Sequence, residues 1–238
     1  MGREFEISRD VVVESTPDQV FDAVTRNTGA WLWPMEFEPR LGGAAAGIGR
    51  VTAWEPPHRF AVRAEDAGGW YNSVDHVIEA RDGGMVALHY VHSGVFEGDW
   101  EAQYDGAGKH TDFYLATLNE YLKHFRGRSA TYAAADGSMA AAEPDSFDRL
   151  RGALGLGADV SLGDRVRLAP AGTDPVDAEV DHLSEHFLGL RSDDALYRFF
   201  GRNAFGGPVG LSVHHFGADA DSKRLTTAWQ KWLDDVYA

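Results

Sequence analysis

One pattern constrains this chain more than any other: a fixed order of local signals runs through it twice. Thr16-Pro17-Asp18-Gln19-Val20 is matched by Glu143-Pro144-Asp145-Ser146-Phe147, each reading as a helix start. Arg59-Phe60 through Glu65-Asp66 is matched by His186-Phe187 through Ser192-Asp193. Gly83-Gly84-Met85-Val86-Ala87-Leu88 is matched by Gly206-Gly207-Pro208-Val209-Gly210-Leu211. Both series close on a helix with an aromatic-bearing apolar stripe. Identity between the halves is low, but the order is shared, and the architecture is then one unit built twice.

Within the first series, Phe5, Ile7, Val11 and Val13 share one parity against Glu6, Ser8, Asp10 and Glu14, the period of two of a half-buried strand over 4–14. Arg9 falls on the apolar parity and requires a carboxylate or a ligand as partner. Thr16 as N-cap, Pro17 at the first helical position and Gln19 closing a capping box predict a helix over 17–26. Strands are expected at 50–55 and 59–65, divided by Pro56-Pro57, which no central strand tolerates. Further strands are expected at 70–80 and 85–93, joined at Asp82-Gly83. Leu115, Leu118, Leu122 and Phe125, at spacings of three and four, predict a helix over 109–126. Strand, short helix, antiparallel strands and long helix pack most simply as a curved antiparallel sheet wrapped around the long helix, an α+β fold.

Residues 128–146 are small and polar with no sustained period. They read as an Ala-rich linker carrying a short edge strand at 130–135, between a unit at 1–127 and a second at 147–238. The terminal helix over 221–237 carries Leu225, Trp229, Trp232, Leu233 and Val236 on one stripe.

Composition narrows the function. Cys is absent from the 238 residues, which excludes disulfides, thiolate metal sites and Cys nucleophiles. Asp and Glu outnumber Lys and Arg by 37 to 22, a formal charge of −15. A field of that sign repels phosphate backbones and anionic lipids, so neither nucleic acid nor a membrane is an expected partner. No apolar run approaches the ~18 residues of a membrane span. MGREFEISRD alternates charged and apolar residues, unlike a secretory leader, so the expected location is cytoplasmic.

Val13 to Val24 (VESTPDQVFDAV), Trp31, Trp33, Glu38-Pro39-Arg40-Leu41-Gly42-Gly43, and Gly49-Arg50-Val51 leading to Pro56-Pro57-His58-Arg59-Phe60 together resemble the START-like, birch-pollen-allergen-like superfamily, also called SRPBCC. Within it the chain is most similar to the group named after the activator of the heat-shock-protein ATPase. The resemblance covers roughly residues 4–127. The second half lacks the double proline and a clear opening strand, and reads as a diverged, abbreviated second copy. The resemblance implies a helix-grip fold with a cavity between sheet and long helix. Members bind lipids, sterols, polyketides and plant hormones, some catalyse cyclisation, and others act as co-chaperones. Fold does not choose among these.

Motifs for enzymes are scarce: GxSxG, a P-loop, a dinucleotide GxGxxG and HExxH are absent. His182 and His186, with Asp181 and Glu185 nearby, have a chelating spacing on a helix. On the strand expected here they lie ~13 Å apart and cannot share a zinc. His214-His215 face opposite sides of a strand. No metal, cofactor or catalytic residue is therefore assigned. The inner parity of the first sheet reads Phe60, Val62, Asn72, Val74, His76, Ile78, Val86, Leu88, Tyr90 and His92, opposite Leu115, Leu118 and Leu122. A dry core would have to satisfy that amide, two imidazoles and a phenol internally, whereas a cavity lets a ligand do so. Trp31, Trp33, Phe60, Trp70, Asn72, His76, Tyr90, His92 and Leu118 are the candidate ligand-binding residues, with the tryptophans at the rim. The leading expectation is a protein that binds an apolar or aromatic small molecule. A cyclase or dehydratase using His76 or His92, and a co-chaperone-like interaction module, are the alternatives. A protein partner or a homodimer stays open.

Overall fold

The computed structural model describes residues 2–157, 159–169 and 175–238. It divides into two compact units, 1–128 and 129–238. None of its described helices is long and apolar enough to cross a membrane.

The first unit opens with β1 (Arg3–Glu14), whose alternation places Phe5, Ile7 and Val13 inside. Then comes α1 (Pro17–Thr25), set by the expected capping box: the Gln19 N–H donates to Thr16 Oγ1 at 3.3 Å, and the Thr16 N–H to Gln19 Oε1 at 3.1 Å. A short β2 (Ala44–Ala45), which sequence alone did not suggest, leads to β3 (Gly49–Glu55), β4 (Arg59–Glu65), β5 (Tyr71–Arg81) and β6 (Met85–Phe96). All pair antiparallel in the order β1-β6-β5-β4-β3-β2. The unit closes with α2 (Trp100–His124), which lies across β1 and β6 and meets α1. Its buried face, including Phe113, Leu115, Leu118 and Leu122, completes the core begun by Ile7, Ile78, Val86 and Leu88. Arg9, the exception on the β1 parity, reaches α2: its Nε and Nη2 donate to the Asp112 carboxylate at 2.5 and 3.2 Å. The long helix begins at Trp100, with Asp99 as N-cap, rather than at 109. Gly106 and Gly108 weaken the helical signal over its first turns, yet both lie within the helix.

The second unit repeats the plan strand for strand. Its elements are β7 (Thr131–Asp136), α3 (Ser146–Ala153), β8 (Arg165–Leu168), β9 (Val176–Leu183), β10 (Phe187–Arg191), β11 (Ala195–Phe200), β12 (Gly210–His215) and α4 (Ser222–Val236). The sheet order, β7-β12-β11-β10-β9-β8, is that of the first unit. Two expectations are corrected here. Residues 131–136 are not linker but the opening strand, paired with β12 along its length. The second copy is therefore not abbreviated by a strand. The short edge strand expected at 130–135 is present, and what the Ala-rich run hides is its place as the first strand of the second unit. Phe187 also does not hold the place of Phe60. Counted from His215 and His92, it is Leu190, opposite Tyr197, that corresponds to Phe60, opposite His76.

Across β9, β10 and β11, Arg198 donates from Nη1 and Nη2 to Asp181 at 2.7 and 3.0 Å. Both side chains are at least 97% buried, at 2% and 3% exposure. Gly189 passes between them, and a Cβ there would collide with Asp181 Oδ1 and Arg198 Nη1. Asp181, considered above beside His182 for a metal, is thus committed to a guanidinium. Among the described residues no three His, Asp or Glu side chains gather as a metal site.

Two measurements check this arrangement. In hydrogen exchange, amides within 131–136 that bond β12 should exchange with the slow core of the second unit, and linker-like exchange would contradict the pairing. Gly189→Ala should destabilise the second unit by about 3–5 kcal/mol in denaturant unfolding, the cost of parting a buried ion pair. A loss below about 1 kcal/mol would mean the pair tolerates displacement.

Candidate functional site

Between the sheet of the first unit and α2 lies a cavity of about 240 Å³. The sheet wall is built by register. β4, β5 and β6 pair so that Phe60 faces His76 and His76 faces Tyr90, while Val74 faces His92. All these residues point to one side, because side chains alternate along a strand. Phe60, Asn72, His76, Tyr90 and His92 line the cavity, as do Trp31 and Trp33. Two candidates do not. Trp70 is 36% exposed at the turn before β5, outside the lining. Leu118 is 1% exposed in the core, one helical turn beyond Leu115, which does line the cavity.

The tryptophans differ in role. Trp31 is buried, and its indole N–H donates to the Ala23 carbonyl at 2.9 Å, which fixes it as wall rather than rim. Trp33 remains 44% exposed and meets Tyr114 edge-on at 5.7 Å, so this pair forms the mouth. The helix wall comprises Ala107, His110, Thr111, Tyr114 and Leu115. Sequence reasoning missed Ala107 because it began the helix at 109, and His110, Thr111 and Tyr114 because it took only the leucine stripe as the facing wall. Their spacing of three, four and seven residues is the signal that could have found them.

The polar groups of the cavity are unevenly satisfied. His92 Nε2 lies 2.6 Å from Asn72 Oδ1 near the open end. Tyr90 has the Thr111 side chain as partner, and burial pushes its phenol far above the ordinary range. His76 is different: its Nδ1 is buried with no hydrogen-bond partner among the described residues. Burial lowers its pKa to about 4, against weaker upward pulls from the Phe60 backbone and Asp75. Burial also lowers His92 to about 4. Both imidazoles are therefore neutral at pH 7. No Asp, Glu, Lys or Arg is among the described lining residues. The site is a largely apolar chamber with hydrogen-bonding side chains on both the sheet wall and the helix wall, aromatic rings around them, and no hydrogen-bond partner for His76 Nδ1 among the described residues.

No protein-family model matches the chain, and no curated protein does. Solved structures give distant likenesses. CalU16 from Micromonospora echinospora is 18% identical over 51% of this chain and 86% of its own, with a TM-score of 0.40. The Aha1 dimer from Colwellia psychrerythraea is 15% identical over 50% and 96%, with a TM-score of 0.37. DynU16, from the dynemicin biosynthetic locus, spans 98% of this chain and 95% of its own at 14% identity and a TM-score of 0.39. Strand order and helix placement in this chain itself define its architecture: a six-stranded antiparallel sheet closed by a C-terminal helix, built twice, a helix-grip arrangement in tandem.

Proposed function

We propose that this protein binds a small, neutral, largely apolar molecule in the first unit's cavity, and that the neutral His76 imidazole, which lines it, is the group that orients it. A ligand hydroxyl or carbonyl hydrogen-bonded to this imidazole gains about 0.5–1.5 kcal/mol. The volume of about 240 Å³ lies below the ~300–1,000 Å³ typical of drug-sized ligands, which favours a small fused-ring body. A charged ligand would leave water for a chamber with no countercharge. Tyr90 and the His92–Asn72 pair offer the second polar contact, with Trp33 and Tyr114 closing over the ligand.

This reading is preferred over acid–base catalysis on electrostatic grounds. A general acid or base works best with a pKa near the operating pH. Imidazoles held at about 4 are poor bases and are not protonated acids at neutrality.

Calorimetric titration with 1-naphthalenemethanol tests the proposal. The alcohol should bind, and 1-naphthoate should not. His76→Phe should weaken the alcohol by about three- to tenfold, the worth of one neutral hydrogen bond, while leaving naphthalene itself unaffected. Equal loss for alcohol and hydrocarbon would assign His76 to shape alone. The contribution of His76 and His92 to affinity should be flat from pH 5 to pH 8, since both titrate at about 4.

Stability should not be flat. An unfolded histidine titrates near 6.5, and folded His76 titrates at about 4. Between these values the unfolded chain binds a proton that the native state refuses. Stability is therefore full above about pH 6.5 and falls as pH drops toward 4, by up to about 3 kcal/mol from His76. Thermal melts of the wild type and His76→Phe across that window check the sign: the variant should lose less on acidification, and identical slopes would refute the assignment.

A further inference from the structure

The second unit opens at the corresponding place. A recess of about 350 Å³ lies between its sheet and α4. The register makes the comparison residue by residue. His215 faces Ala195 as His92 faces Val74, and Tyr197 faces Val213 as His76 faces Tyr90. The terminal imidazole is kept. A phenol stands where the first unit has its unclaimed imidazole, and a valine stands where it has its phenol.

The recess carries charged groups that the first cavity lacks, among them a carboxylate beside the sheet wall. Asp194 lines the recess. Its Oδ1 accepts from the Ser192 hydroxyl at 3.0 Å, and its Oδ2 lies 3.6 Å from His215 Nε2. The Gly217 N–H donates to His215 Nδ1 at 3.0 Å, so neutral His215 carries its proton on Nε2, toward Asp194. Burial raises Tyr197 to about 12, leaving it a neutral phenol at physiological pH. The opposite wall is apolar, with Leu225, Ala228 and Trp229 from α4 and Leu168 from β8. Asp219, Asp221 and Arg224 are the remaining charged groups. Asp221 is engaged as the α4 N-cap, through the Arg224 N–H. The recess is thus net acidic where the first cavity is uncharged.

We propose that this recess is a second ligand site, selective for a small aromatic amine in its protonated form. The ring packs between Trp229, Leu225 and Leu168, and the ammonium approaches Asp194. Carboxylate and ammonium attract strongly only where water is partly excluded, and the half-exposed Asp194 has that exclusion only on the side of the apolar helix wall. The proposal does not rest on the reading of the first cavity.

Titration of the full chain with 1-naphthylmethylamine tests it, with 1-naphthalenemethanol as the uncharged partner probe. The amine should bind and shift the Gly217 amide and the Trp229 indole resonances. Asp194→Asn should weaken it by about tenfold. Ala228→Trp, which fills the recess from the helix side, should abolish it. The alcohol's His76-dependent binding should be the same in both variants. Should Ala228→Trp fail to fold, the Asp194→Asn loss together with the two resonance shifts decides the matter. Amine binding that is absent, or indifferent to Asp194→Asn, overturns the proposal. Failure of the alcohol alone would overturn the first-cavity reading and leave this one standing.

Discussion

Ten residues of β5, Asn72 to Arg81, pair with β6 in unbroken register, and that pairing decides which side chains α2 meets. Because side chains alternate, the register admits Asn72, Val74, His76 and Ile78 from one strand, with Leu88, Tyr90 and His92 from the other. A slip of one residue would instead turn Ser73, Asp75, Val77 and Glu79 inward and bury two carboxylates under the helix. Such burial without partners costs several kcal/mol per charge. The register is therefore pinned by what it keeps out as much as by what it encloses. The Arg9–Asp112 pair holds β1, the other neighbour of β6, to the same helix.

Enclosure is not uniform along these strands. Toward Ile78 and Leu88 the inner positions are apolar and almost fully buried. There α2 supplies Leu118 and Leu122, and the space closes. Toward Asn72 and His92 the inner positions are polar, and α2 supplies Ala107, Thr111 and His110. Small and polar side chains on both walls leave a gap that neither fills. The cavity thus follows from a composition gradient along the strands and the helix together.

Much of this was legible in the sequence, and the limits have physical causes. Alternation identifies β1 and β4 to β6 because each has one wet face and one dry one. The capping box places α1, since its donors and acceptors are local. Seven of the nine candidate ligand residues line one cavity: parity groups the five strand residues once the strands are known, while Trp31 and Trp33 lie outside any strand. The misses fall where parity gives no information. Trp70 sits in a turn, and no period assigns a turn residue to a face. Leu118 carries the right helical phase, but phase does not say how far along the helix the cavity extends. Two glycines concealed the start of α2, and the alanines of β7 made an expected edge strand read as linker rather than as the opening of the second unit. The Arg198–Asp181 pair joins residues 17 apart in sequence, and nothing local links them before β9, β10 and β11 are laid side by side.

The two units show which positions the fold constrains and which it releases. In register, Ile78 corresponds to Phe199 and Leu88 to Leu211, and all four are buried and apolar. These positions close the core, so exchange there is limited to hydrophobic side chains of fitting volume. His76 and Tyr197, or Tyr90 and Val213, occupy positions where the wall faces a gap. A change of chemistry there alters what the gap can hold without opening the core. The carboxylate of Asp194 goes further, since it stands at the turn before β11, beyond the ladder's control, where a half-exposed charge is tolerated. A duplicated helix grip can in this way keep one frame while its two openings diverge, with the core end of each strand conserving the fold and the mouth end setting the ligand.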